Sequence, residues 1–192
     1  FITHSHLDHL ACLPFMVDTV GDMRNRPVMV HATEATLEII RAHVFNWAIW
    51  PDFSVIPSAE KPFMRFSPIK VGEAIDLDGR KVVPLPANHT VPAVGYHVDS
   101  GQGSLVFTGD TGRCPDLWKQ VNLIRNLRYV IIECAFSDRE QKLAEASLHL
   151  CPSMLLDELT NLQWDAEIYV THLEPGQIEL TMQEIEDRNG EF

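Results

Sequence analysis

Short runs of β-branched and aromatic residues alternate along this chain with stretches whose apolar positions recur every three to four residues. Val28-Met29-Val30 reads as a strand, and it leads into a helix predicted from Glu34 to Val44 with Thr33 placed as its N-cap. The middle is strand-rich: Phe63 to Phe66, Ala74 to Leu77, Lys81 to Leu85, Ala93 to Val98 and Ser104 to Thr108 are separated by Gly, Pro and Asp-Gly breaks. Asp78-Gly79 and Gly101-Gln102-Gly103 read as hairpin turns. A helix follows near Asp116 to Ile124, then a buried strand from Tyr129 to Cys134. Next come a helix that Pro152 opens in its first turn, a strand from Glu167 to Thr171, and a polar helix after Gly176. Mixed strands flanked by helices predict an α/β fold with helix-covered sheets.

Length and composition narrow this picture. The 192 residues, 45% of them hydrophobic, suit a single domain spanning 1–192 with one sizeable core. Pro and Gly are scattered as turn punctuation, without a linker, a repeat or a low-complexity tract. The first residue is Phe1, three positions before a motif of metal-ligand type, which is the beginning expected of a piece cut from a longer protein. No stretch has the length and apolarity of a membrane span, and the opening residues lack the basic and apolar regions of a signal peptide. A cytoplasmic location is therefore expected, with export left open by whatever lies upstream. Cys12, Cys114, Cys134 and Cys151 form no C-x-x-C pair and read as free thiols. With 27 acidic against 15 basic residues the formal charge is −12, a field that opposes a long polyanion and leaves room for a small anionic substrate at a cationic centre.

The chemistry is concentrated at the start. His4-Ser5-His6-Leu7-Asp8-His9 packs three imidazoles and a carboxylate into six residues. If the chain leaves a strand at Thr3 and enters a helix after Leu7, His4 and His6 can face one ion while Asp8 and His9 face its neighbour. These ligand types suit zinc, manganese or iron. His89, Asp110 and His172 each stand just beyond a predicted strand, where side chains are held rigidly. An Asp presented from the tight Thr108-Gly109-Asp110-Thr111 turn can offer an oxygen to each of two ions about 3.5–4 Å apart.

The His4-to-His9 run resembles the H-x-H-x-D-H signature of the metallo-β-lactamase superfamily, and His89, Asp110 and His172 stand where that family's remaining ligands would fall. The resemblance runs from His4 to about Pro175. It implies an αββα sandwich whose N-terminal strands are missing here. It also implies two divalent ions, zinc first and Mn2+ or Fe2+ as alternatives: His4, His6 and His89 on one, Asp8, His9 and His172 on the other, and Asp110 bridging.

Two details resemble class II 3′,5′-cyclic-nucleotide phosphodiesterases: Leu7 within His-Leu-Asp-His, and the segment from His43 to Phe53 containing Asn46, Trp47 and Trp50-Pro51. The run Leu13-Pro14-Phe15-Met16-Val17-Asp18 departs from that class pattern. The Asn88-to-Tyr96 and Phe107-to-Thr111 segments are similar to the same enzymes and to tRNA 3′-processing endonucleases alike. The endonucleases carry Gly at the Leu7 position and a basic arm, neither of which is found here. The resemblance thus implies hydrolysis of 3′,5′-cyclic AMP or GMP to the 5′-monophosphate, with a small-molecule partner, no stable nucleic-acid or membrane partner, and a homodimer as a possibility. Asp8 would orient the attacking water, and His149, paired with Glu133 as in the tRNA-processing relatives, would protonate the leaving oxygen. A structural reading of His149 as a packing residue beside the Cys151-Pro152 helix start stays open. Asn46 and Trp50, with Trp47, are candidates for holding the base, or else core or dimer contacts. A tRNA-processing-type endonuclease and a lactone or thioester hydrolase of the same fold are the alternative activities.

Overall fold

Thr33 stops one element and starts the next. It ends strand β1 (Val28–Thr33), and its hydroxyl accepts a hydrogen bond from the Thr36 amide, capping helix α3 (Glu34–His43) at the residue expected from the sequence. Upstream, the computed structural model places α1 at Leu7–Leu10 and α2 at Cys12–Gly21, and downstream β2 at Met64–Ile69. The structure describes residues 1–189. The strand expected to end at Thr3 does not form. One hydrogen bond, from the Ile2 amide to the His31 carbonyl, ties that segment to β1, and the helix begins at Leu7 itself.

By the density of their internal packing the residues divide into two units, Phe1–Lys70 and the stretch from Val71 onward. In the first, β1 and β2 pair in parallel, Val28 opposite Met64 through Thr33 opposite Ile69. Leu10, Leu13 and Val17 recur at helical spacing along α1 and α2, Leu37 and Ile40 do so on α3, and all five bury against Val30, Ala32 and Met64 of the sheet. Phe45 and Phe53, tilted against each other at 6.0 Å between ring centroids, complete this core.

The second unit is a six-stranded sheet in the order β3 (Ile75–Leu77), β4 (Arg80–Pro86), β5 (Val94–Asp99), β6 (Ser104–Phe107), β7 (Leu127–Glu133), β8 (Glu167–Thr171). β3 to β6 form an antiparallel meander through the two expected turns, where Asp78, Gly79 and Gly101 take positive φ. β6, β7 and β8 are parallel, so helices must carry the chain between them. These are α4 (Pro115–Val121), then α5 (Gln141–Ser147) and α6 (Pro152–Leu159), with α7 (Ile178–Asn189) after β8. Val106, Val130 and Ile132 of the sheet pack with Leu117, Val121, Leu150, Met154, Leu155 and Ile185. β4 lies two antiparallel steps from β6 and therefore runs in the same direction, so the carboxyl ends of β4, β6, β7 and β8 share one end of the sheet. Open α/β sheets receive their ligands at such an end.

α5 had no counterpart in the sequence pattern, because Ala144 is its one fully buried residue and no apolar stripe marks it. No helix among the described residues is long and apolar enough to cross a membrane.

Candidate metal centre

Within the first unit, the sharp passage from Thr3 into α1 gathers the motif's side chains. The ring of His4, fully buried, meets that of His6 edge-on at 4.6 Å and that of His9 at 4.2 Å. Oδ2 of Asp8 lies 3.1 Å from Nε2 of His9. Behind the rings, the buried Thr3 hydroxyl stands 3.1 Å from Nδ1 of His4 and 3.5 Å from Nδ1 of His9. A hydroxyl oxygen placed there can accept from both Nδ1–H groups, which would leave each Nε2 as the candidate ligand atom. Thr3 was not singled out in the sequence, although its place directly before the first His was visible there.

Within the second unit, the shared sheet end supplies the other residues. Asp110 follows β6 through Gly109, whose φ is 61°, and its carboxylate is 3% exposed. One of its oxygens, Oδ2, lies 3.3 Å from Nε2 of His172 and 4.0 Å from Nε2 of His89. Nδ1 of His89 is 3.2 Å from the Leu148 carbonyl. A carbonyl only accepts, so Nδ1 carries a proton, and Nε2 is the ring nitrogen turned toward Asp110. His172 itself has φ 61° and Leu148 φ 56°, left-handed backbone that is uncommon for residues other than Gly and concentrates at functional sites.

Beside these lies a second ring system. His149 stacks on His172 at 5.3 Å and meets His89 edge-on at 4.8 Å, while its Nδ1 donates to Glu133 Oε1 at 2.7 Å. Glu133 is fully buried and also accepts from the amides of Thr111, Ala135 and Leu150. Burial of the His149 imidazole works to lower its pKa; the hydrogen bond and charge of Glu133, together with the charges of Asp110 and Glu174, outweigh it, and the net displacement is upward.

In each unit, then, imidazole nitrogens and a carboxylate oxygen converge, with ligand atoms of His4 and His6, of Asp8 and His9, and of Asp110 with His89 or His172 within 4.8 Å of one another. A carboxylate oxygen within reach of two imidazole nitrogens is a donor set that suits divalent cations. A model of the β-lactamase superfamily domain matches residues 1–184. The chain belongs to that superfamily.

Relatives of this β-lactamase superfamily chain include a probable 3′,5′-cyclic-nucleotide phosphodiesterase of Yersinia pestis, 25% identical over 203 residues, covering 92% of this chain and 57% of that protein. Another is an endoribonuclease ysh1 of Schizosaccharomyces pombe, 29% identical over 118 residues, covering 60% of this chain and 16% of that protein. The crystal structure of unliganded yeast PDE1 matches with a TM-score of 0.83 at 22% identity, over 98% of this chain and 62% of that one. The chain thus spans a little over half of the first relative, and the structural likeness establishes the metallo-β-lactamase fold.

In this superfamily member Asn46 and Trp50 have local tasks. Asn46 Oδ1 accepts from the amides of Ala48 and Ile49, and Nδ2 donates to the Ala42 carbonyl at the end of α3, so the side chain holds the following loop in shape. Trp50 packs edge-on to Phe15 at 5.1 Å and leans on the first unit's core; Trp47, beside it, is 64% exposed.

Proposed function

We propose that the chain carries a two-metal hydrolase centre that opens 3′,5′-cyclic nucleotides to the 5′-monophosphate. The observation that carries the proposal is Oδ2 of Asp110 set between Nε2 of His89 and Nε2 of His172, an arrangement that suits a bridging carboxylate. In the proposed centre His4, His6 and His89 hold one ion, Asp8, His9 and His172 hold the other, and Asp110 serves both. Bound divalent ions there, zinc or else manganese or iron, supply a nucleophile at neutral pH and neutralise charge on the phosphoryl oxygens.

The chain's own groups do the rest. Asp8, whose second role is orientation, aligns the attacking water with its exposed carboxylate. His149, held through Nδ1 by Glu133, keeps Nε2 for the proton that the departing ribose 3′ oxygen requires. Glu133 supplies negative charge behind the imidazole and is itself held in place by three backbone amides. A small cyclic substrate accords with the net charge of −12.

A second reading, cleavage of an RNA phosphodiester, is favoured by the identity to the endoribonuclease, which extends over 60% of the chain. Metal content measured together with hydrolysis of cyclic AMP, cyclic GMP and a single-stranded RNA decides between them. About two metals per chain and a 5′-monophosphate product support the proposal; RNA cleavage without cyclic-nucleotide turnover would move the assignment to the nuclease. In Asp110→Ala both the second metal and turnover are expected to be lost.

A further inference from the structure

Thr111, next to Asp110, is buried, and none of its hydrogen bonds is needed to make it a metal ligand or a proton donor. Its amide donates to Glu133 Oε1 at 2.9 Å, the same oxygen that accepts from His149. Its hydroxyl donates to the Gly112 carbonyl at 2.9 Å and accepts from the Asn88 amide, also at 2.9 Å; Asn88 is the residue before His89. The adjoining bonds run the same way: Gly112 N to Asn88 O at 2.8 Å and Asn88 Nδ2 to Arg113 O at 3.0 Å. A Cβ on Gly112 would come within 3.3 Å of the Leu148 backbone, the residue whose carbonyl anchors His89.

We infer that Thr111 is a positioning residue: its hydroxyl and amide lock the His89 loop, the Asp110 turn and the Glu133–His149 pair into one frame, and so set the spacing on which metal binding depends. The inference rests on the metal-centre reading above. The hydroxyl is the side-chain group of the Asp110 turn that takes the Asn88 amide, next to the backbone bond from Gly112 to the Asn88 carbonyl. Without it the Asn88 amide faces a methyl group, and the His89 loop is held to the Asp110 turn less tightly.

The test is zinc affinity, measured by competition with a chromophoric chelator, beside thermal unfolding of the metal-free proteins. Thr111→Val keeps the shape and removes the hydroxyl; it is expected to weaken zinc binding by about 10–100-fold, the range seen when groups behind metal ligands are removed. Thr111→Ser keeps the hydroxyl and is expected to retain affinity to within about threefold. Equal affinity of Thr111→Val and the wild type overturns the inference, as does a loss in Thr111→Ser as large as in Thr111→Val, which would make the methyl packing responsible. If Thr111→Val does not fold, Thr111→Ala removes the same hydroxyl with a smaller side chain: several-fold weaker zinc binding than Thr111→Ser supports the inference, binding equal to the wild type overturns it. A wild-type protein that binds no zinc sinks the metal reading and this inference together, whereas zinc-binding wild type with an indifferent Thr111→Val sinks this inference alone.

Discussion

A fully buried carboxylate survives at Glu133 because every direction around it offers a donor: three backbone amides and an imidazole. Truncating such a group leaves those donors stranded, so Glu133→Gln, which keeps the volume, is the informative change. It is expected to lower kcat by about 10²-fold or more while leaving metal content unchanged, and His149→Ala to do the same; metal analysis beside a kcat measurement on cyclic AMP checks both. The pairing of Glu133 with His149 was legible in the sequence through the resemblance alone, since 16 residues separate them and nothing in local periodicity joins them. At Asn46 the structure adds something the sequence did not hold. Its place in a family-like segment suggested a substrate contact, which stays a proposal, and the structure adds three local hydrogen bonds that shape the loop after α3. The cysteines offer a check of another kind. Cys12 is exposed, while burial raises the pKa of Cys114, Cys134 and Cys151 and keeps those thiols protonated. One thiol per chain is expected to react with a chromogenic disulfide reagent in the native protein, and the other three only after denaturation.

Elements with a strong local signal were placed well from sequence. Thr33 caps α3 as expected because a hydroxyl before an acidic first turn competes successfully for the orphan amides; Thr33→Ala should cost about 1 kcal/mol, read from denaturant unfolding. β8 matches its expected span of Glu167 to Thr171, and Pro152 opens α6 in its first turn, as expected of a residue with no amide to satisfy there. α4 came out shorter than the stretch to Ile124, stopping at Val121 with Asn122 as its C-cap. The expected strand into Thr3 does not form: the Ile2 amide bonds to the His31 carbonyl of β1, but Phe1 to Thr3 takes part in no described strand ladder, and a strand needs one. α5 failed in the opposite sense, since a short polar helix with one buried Ala leaves no periodicity to read.

For the whole molecule, a centre built from loops at strand ends should stabilise the fold when filled, because ligand bound to the native state alone adds RT ln(1 + [L]/Kd), about 2.7 kcal/mol at 100 Kd. Removal of metal by a chelator is therefore expected to lower the unfolding temperature, and re-addition of zinc to restore it. Calorimetry with and without chelator checks this, and an unchanged transition would count against the proposed metal centre. The sequence by itself determined the superfamily motif and the candidate ligand types in it, because the identity and spacing of His and Asp are written in the chain, and it determined the strand–helix rhythm, because periodicity is local. Only the tertiary structure decided which oxygen of Asp110 faces His89 and His172, that Leu148 turns its carbonyl to His89, and that Thr111 ties three segments together. Those relations depend on strand direction and on backbone groups from residues dozens of positions apart, and a linear pattern of side-chain types holds no record of where a carbonyl or an amide will point.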